Sequence, residues 1–306
     1  MKKARTDIYA EVTQRIITAL EKSDGKVVLP WHRSGNASYR PQNILTNRPY
    51  TGINTLLLWL DAEERGFSNG LWGTYLQWQQ KGAQVQKGAK SSVVIVYREY
   101  EKVATDNDGK PVFNPLTGEP LKEPTFYAKA ARVFNVEQVE GFSEELPEQL
   151  EPVANLDTID EFVRNTEADI RHGGPIAAYN PGADYIKMPH KEAFFPTEER
   201  SATEGYYSVL LHELTHWTGH KTRCNRDFKE KFGHHAYAIE ELVAEIGSAY
   251  LSATLGLAPE FRQDHADYIK NWLEALKEHK TTIFTAASQA QQAVDYLKGL
   301  QPPWVA

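Results

Sequence analysis

The sequence predicts an α+β fold in two parts: an N-terminal α+β unit, then a mostly helical unit with a small sheet. Three observations carry this. Two runs rich in β-branched and aromatic residues, 91–103 and 125–134, lie among short helical patterns in the first half. Residues 137–156 are rich in glutamate, hold Pro147 and Pro152 and offer few core formers, which is a linker composition. Helical periodicity then dominates to residue 299. The expected boundaries are 1–136, 137–156 and 157–306.

The elements follow in order. Ile8, Val12, Ile16 and Leu20 recur at helical spacing and predict a helix over 6–23. A second helix over 54–65 is closed by Gly66, and a third over 74–81 ends at Gly82. The two β-rich runs pair as a hairpin. Between them, residues 104–124 are full of Asp, Asn, Gly and Pro and read as an exposed, mobile excursion. After the linker, Ile159, Phe162, Val163 and Ile170 predict one helical face, with Gly173-Gly174-Pro175 as its stop. Short strands over 176–179 and 184–188 flank the turn Asn180-Pro181-Gly182. Four helices follow, over 203–219, 237–255, 264–277 and 281–299.

With 41% apolar and 25% charged residues, the chain falls among globular proteins and outside the disordered class. No apolar run has the length of a bilayer span, so no membrane partner is expected. The single cysteine, Cys224, excludes an intrachain disulfide and suits the reducing cytoplasm. The net charge of -7 hides an asymmetry: residues 1–135 hold 19 basic against 13 acidic side chains, and residues 136–306 hold 15 against 28. The first half alone therefore suits a polyanion.

His212-Glu213-Leu214-Thr215-His216 fits H-E-x-x-H. On a helix the two histidines lie one turn apart on one face and reach a single ion, with Glu213 beside them as general base toward a water. Leu210, Leu211, Leu214 and Trp217 supply the buried side of that helix. A catalytic Zn2+, or another divalent ion such as Mn2+, takes three protein ligands. His220 is a poor third ligand because Gly219 breaks the helix before it, and the metzincin position for a third histidine is Thr222. The helix holding Glu240 to Glu245 is the better source. Glu241 and Glu245 stand four apart, as the ligand and the histidine-holding carboxylate do in gluzincins, which points to Glu241 as ligand and Glu245 as support for a histidine. Glu245, Glu240, His234 and His235 remain alternatives. Tyr237, His234 and His235 are candidate oxyanion donors. The strand at 184–188 is expected to offer its edge to an extended peptide.

In the first half, aromatic residues stand among cations and amides: Trp31, Arg33, Tyr39, Arg40, Tyr50, Asn54, Trp72 and Trp78, then Lys81, Lys87 and Lys90. Rings that stack on unpaired bases and cations that neutralise phosphates make a sequence-tolerant single-strand binder, so single-stranded DNA is the expected partner.

Gly52-Ile53-Asn54, Trp72-Gly73-Thr74-Tyr75 and the run from Gly82-Ala83 to Lys87-Gly88-Ala89-Lys90 resemble the N-terminal domain of ArdC-type antirestriction proteins and TraC-type primases. The stretch from Leu211 to His220, with Arg223 and Glu240–Glu245, resembles their zincin metallopeptidase domain, itself similar to SprT-like proteases. The resemblance implies a single-stranded DNA-binding domain followed by a zincin domain, in proteins carried by conjugative plasmids that help incoming DNA escape restriction. It places the metal motif on His212, Glu213 and His216. Two readings compete: a metalloprotease tethered to DNA, its protein substrate possibly part of the host restriction system, and a non-catalytic DNA-binding shield with a structural or vestigial metal site. A metal-dependent nuclease is the weaker third, because many nucleases use two ions bridged by carboxylates.

Overall fold

A computed structural model describes residues 7–21, 40–106, 108–143, 156–196, 201–226, 234–257 and 266–302, with the backbone alone at 156, 234–236 and 266–268. Helix α1 (Ile8–Glu21) buries Val12, Ile16, Ile17 and Leu20. Strand β1 (Gln42–Asn43) precedes α2 (Ile53–Arg65), which stops at Gly66 in the left-handed region, φ 71°. After β2 (Leu71–Gly73) comes α3 (Tyr75–Gln80), opened by a capping box in which the Thr74 hydroxyl accepts from Gln77 N and the Gln77 side chain accepts from Thr74 N. Strand β3 (Gln84–Val85) leads to the long hairpin of β4 (Ser92–Val103) and β5 (Lys122–Asn135). Its register is unbroken from Ser92 opposite Val133 to Val103 opposite Lys122, and the sheet order is β1-β2-β5-β4.

The excursion at the hairpin tip is exposed and also cross-linked by its own backbone. Ala104 N donates to Leu121 O at 2.8 Å, Val112 N to Ala104 O at 2.9 Å and Leu121 N to Val112 O at 2.8 Å. The start of the expected linker belongs to the first half. Strand β6 (Val139–Glu140) pairs antiparallel with β3, and Glu137 Oε1 accepts from the backbone of Ser68 at 2.7 Å and Asn69 at 2.8 Å. Residues 144–155 lie outside the described residues.

In the second half α4 (Leu156–Arg164) is shorter than its apolar pattern suggests. The Thr166 hydroxyl donates back to Val163 O at 2.6 Å and Glu167 adopts φ 54°, so the helix ends there. Ile170 therefore enters strand β7 (Ile170–His172) instead of the helix face. Strands β8 (Ala178–Asn180) and β9 (Tyr185–Met188) complete a sheet ordered β7-β9-β8. The expected peptide-binding edge at 184–188 is thus corrected: β9 is central, paired on both sides, and β8 is an edge strand of this sheet.

Helices α5 (Ala202–Thr218), α6 (His234–Leu255), α7 (Ala266–Glu278) and α8 (Thr282–Gly299) match the expected set. The N-terminal helices join their core. Leu56, Leu57 and Trp59 of α2 and Ile16 of α1 are buried in one cluster with Leu211, Leu242, Tyr250 and Ala290. Polar contacts cross the same seam: Tyr250 Oη donates to Gly52 O at 2.8 Å, and Arg40 Nη2 to Gln291 Oε1 at 2.6 Å. Among the described residues no helix is long and apolar enough to cross a membrane.

Candidate metal centre

Helix α5 opens with a Ser201–Glu204 capping box and buries nearly its whole C-terminal half, His212, Glu213 and His216 included. Helix α6 packs against it where Gly247 meets Thr215: a Cβ on Gly247 would stand 2.5 Å from Thr215 Cγ2. This close approach brings the buried Glu240, Glu241 and Glu245 against the two imidazoles.

One ligand atom each from His212, His216 and Glu241 lies within 4.8 Å of the others. His212 Nε2 and His216 Nε2 stand 3.1 Å apart, and the Glu241 carboxylate is 3.5 Å from each. Each far ring nitrogen also has a carboxylate beside it: His212 Nδ1 is 2.9 Å from Glu245 Oε1, and His216 Nδ1 is 3.1 Å from Glu240 Oε1. Arg226 clamps Glu240 in turn, from Nε at 2.9 Å and Nη2 at 2.9 Å, while its Nη1 donates to Thr218 Oγ1 at 2.8 Å. In the tautomer with its proton on Nδ1, beside the carboxylate, each imidazole directs its Nε2 lone pair inward. Two protonated Nε2 atoms would repel at 3.1 Å, whereas one cation satisfies both lone pairs and the buried carboxylate. The donor set therefore fits a divalent ion with two nitrogen ligands and one oxygen ligand.

Without an ion the same carboxylates draw protons onto the imidazoles, so a cation binds here by displacing protons. Burial favours neutral imidazoles, yet the carboxylates outweigh it: Glu241 and Glu245 push His212 up to about 9, and Glu240 and Glu241 push His216 up to about 10. Burial raises Glu241, but the two histidines overcome it and hold this carboxyl well below the usual range. The pocket is thus built to hold positive charge next to a carboxylate.

Glu213 Oε2 accepts from the backbone N–H of Tyr179 at 2.8 Å, so strand β8 runs directly past this carboxylate. A brace fixes the strand there. Arg223 donates to both oxygens of Asp184, at 3.0 Å to Oδ2, and its Nη2 lies 3.2 Å from Tyr179 Oη. Tyr179 Oη donates to Asp184 Oδ1 at 2.8 Å. Arg223 also donates from Nε to Trp217 O at 2.6 Å and stacks 3.9 Å above the Trp217 ring. His220 Nδ1 lies 2.8 Å from Thr222 Oγ1, outside the ligand group.

Tyr237 is exposed on α6, four residues before Glu241 and so on the same helix face. The side chains of His234 and His235 lie outside the described residues. Glu240, Arg226 and Tyr179 are the residues that sequence reasoning did not assign. From the sequence Glu240 is a candidate only as a ligand, and its place beside Glu241 is the one signal for a second histidine partner. Nothing in spacing alone announces that the loop after α5 returns Arg226, or that β8 offers its N–H.

The side chains expected to meet DNA are scattered by the fold. Trp31, Arg33 and Tyr39 lie outside the described residues. Trp72 and Trp78 are core, 1% and 0% exposed, and Trp78 Nε1 donates to Phe134 O at 3.0 Å. Arg40 is buried above the Tyr250 ring, and Asn54 is consumed by Ile95, donating to its O at 2.8 Å and accepting from its N at 2.6 Å. Burial removes Arg40, Trp72 and Trp78 from any base-facing surface, and backbone pairing does the same to the Asn54 amide. Tyr50 is half-buried, its hydroxyl accepting from Asn43 Nδ2 at 3.1 Å. Lys81 is half-exposed, and Lys87 and Lys90 face solvent.

Residues 6–134 match the family described as the N-terminal domain of anti-restriction factor ArdC, and residues 157–289 match that of a zincin-like metallopeptidase. The "uncharacterized protein y4eC" of Sinorhizobium fredii (strain NBRC 101917 / NGR234) is 39% identical over 97% of this chain and 93% of its own length. Two DNA primases TraC of Escherichia coli are 34% and 33% identical over 94% and 97% of the chain, which spans only 19% and 27% of their lengths. Two crystal structures of the antirestriction ArdC protein from the R388 plasmid are also similar. The metal-free form has TM-score 0.77 and 39% identity over 96% of this chain and 98% of that one. The Mn(II)-bound form has TM-score 0.75 and 37% identity over 98% of this chain and 100% of that one.

Proposed function

Because this chain belongs to the ArdC antirestriction family, we propose that it binds single-stranded DNA through its first half and hydrolyses a protein at the metal centre of its second. The convergence of His212, His216 and Glu241 beside Glu213, with the edge strand β8 running past that carboxylate, is the observation that carries the reading. The ion is a divalent one, zinc by the zincin-like match or Mn(II) as in the R388 relative. Bound there, it supplies Lewis acidity toward a carbonyl and a water.

The chain's own groups do the rest. Glu245 and Glu240 keep the imidazoles in register. Glu213 takes the proton from a water and returns it to the leaving amine, a role worth about a hundred- to ten-thousand-fold in rate. The Arg223–Asp184–Tyr179 brace holds β8 at the height of Glu213, and an extended peptide adds along this edge strand when the Tyr179 N–H exchanges Glu213 for a peptide carbonyl, which also releases Glu213 toward a water. Tyr237, one turn from Glu241, is the side chain we assign to the developing oxyanion. Amide hydrolysis is favoured over nucleic-acid cleavage because the described residues contain one three-ligand group, with no second carboxylate-bridged set beside it.

The test compares wild type with Glu213→Gln, both loaded with Zn2+ or Mn2+ and incubated with host proteins with and without single-stranded DNA. Mass spectrometry reads new peptide termini. Cleavage by wild type alone, with equal metal content in both proteins, supports the peptidase. If both are inert while DNA binding and antirestriction persist in Glu213→Gln, the chain is a DNA shield and the metal site is structural.

A further inference from the structure

Resting on the reading that the first half binds single-stranded DNA, we propose that the contact surface is one face of the outer hairpin of β4 and β5, built on Arg98, Tyr100, Lys102, Tyr127 and Lys129. Residues directly opposite each other in an antiparallel pair share a face, and the face alternates along each strand. The register sets Val94 opposite Ala131, Val96 opposite Lys129, Arg98 opposite Tyr127, Tyr100 opposite Thr125 and Lys102 opposite Glu123, all on one side. At the base this side is core, with Val94 and Val133 packed on Leu58, Ala62 and Trp72. Farther out it reaches solvent.

There the two sides differ in their balance of charge. The proposed side carries Arg98, Lys102 and Lys129, all exposed and without a carboxylate at ion-pair distance among the described residues, and one exposed carboxylate, Glu123, opposite Lys102. Tyr100 and Tyr127, 46% and 42% exposed, meet edge to face with centroids 5.7 Å apart. The opposite side carries Glu99 and Glu101 with Phe126, and its one outer cation, Lys122, is paired with Glu101 at 3.2 Å. A face with three cations and two exposed tyrosine rings against the single carboxylate of Glu123, backed by a face that carries Glu99 and Glu101, selects a polyanion with accessible bases. Lys129, opposite Val96, lies about 7 Å along the hairpin from Arg98, and Lys102 lies about 13 Å beyond Arg98, a row of cations that suits the phosphates of an extended polynucleotide, while the rings take bases by stacking. The buried Trp72 and Trp78 then build the sheet, and the tyrosines meet the ligand.

The experiment uses the full chain and a fluorescein-labelled oligodeoxythymidylate, read by anisotropy across a salt series. Arg98→Ala/Lys102→Ala/Lys129→Ala is expected to weaken binding at least tenfold and to reduce the slope of log Kd against log salt by about 2, since each lost phosphate contact on a single strand is worth about 0.7. Tyr100→Ala/Tyr127→Ala is expected to weaken binding at least tenfold with the slope unchanged. Glu99→Ala/Phe126→Ala, on the opposite side, is the control and should bind no worse than wild type. All changes are at exposed positions, and circular dichroism checks the fold. Binding of both hairpin variants within twofold of wild type overturns this surface while leaving DNA binding by the first half intact. Equal affinity of wild type for a duplex of the same length overturns the stacking role. Failure of wild type to bind the oligonucleotide overturns the parent reading and the surface with it.

Discussion

Glu240 and Arg226 act on the metal centre through His216, so their loss should register as metal affinity before it registers as unfolding. Glu240→Gln or Arg226→Ala is expected to weaken metal binding about 10- to 100-fold, as does Glu245→Gln through His212. Competition against a chromogenic chelator measures it, and an unchanged affinity would show that the ring orientations need no support. Asp184 gives a pH prediction. Its hydrogen bond from Arg223 outweighs burial and holds its carboxyl below the usual 3.8. A depressed folded-state pKa contributes stability that is complete above the unfolded value and is lost as pH falls through the folded one. Asp184→Asn should therefore lower the melting temperature at pH 7, and the gap should narrow as the solution is acidified below 3.8.

At the scale of elements, α5 and α6 form the site only because Gly247 lets them touch. On an exposed helix a Gly→Ala change gains up to about 1 kcal/mol in propensity. Here the added methyl meets Thr215, one residue from His216, so Gly247→Ala is expected to cost about 1–3 kcal/mol and to weaken metal binding. A stabilised variant would mean that the helices can yield without cost. Strand β4 is the outer strand of its sheet, and the Asn54 side chain of α2 closes part of that edge by pairing both backbone groups of Ile95. Removing it in Asn54→Ala strands a buried pair, at about 1–3 kcal/mol by chemical denaturation. An Asn54→Ala protein of wild-type stability that has lost DNA affinity would restore this residue to the DNA surface.

For the whole molecule, the shared core predicts cooperativity. Because α1 and α2 bury their apolar faces among α5 to α8, calorimetry of the full chain should give one unfolding transition. Two separated transitions would mean that the halves hold together only weakly. Metal adds to this: at a free concentration about 100-fold above Kd it contributes about 2.7 kcal/mol, so chelation should lower the melting temperature of the entire chain. A melt insensitive to chelator would argue that no ion is bound by the folded state.

The sequence by itself determined the parts whose signals are local. Helical and strand periods located most of the elements, because backbone geometry repeats at 3.6 and 2 residues, and H-E-x-x-H put His212 and His216 on one face through the same repeat. Glu241 was legible because it needs only a second helix with a carboxylate, and four-residue spacing supplied Glu245. What only the tertiary structure decided depended on returns of the chain. These include Ile170 leaving its helix for a strand, β9 becoming central instead of an edge, and Arg226 reaching Glu240 across a loop. The aromatic and basic residues of the first half show the limit most clearly. Trp78 and Tyr127 carry similar chemistry in the sequence, yet one is fully buried and the other faces solvent. Composition records which rings and charges a chain owns, and pairing register and packing decide which of them meet water.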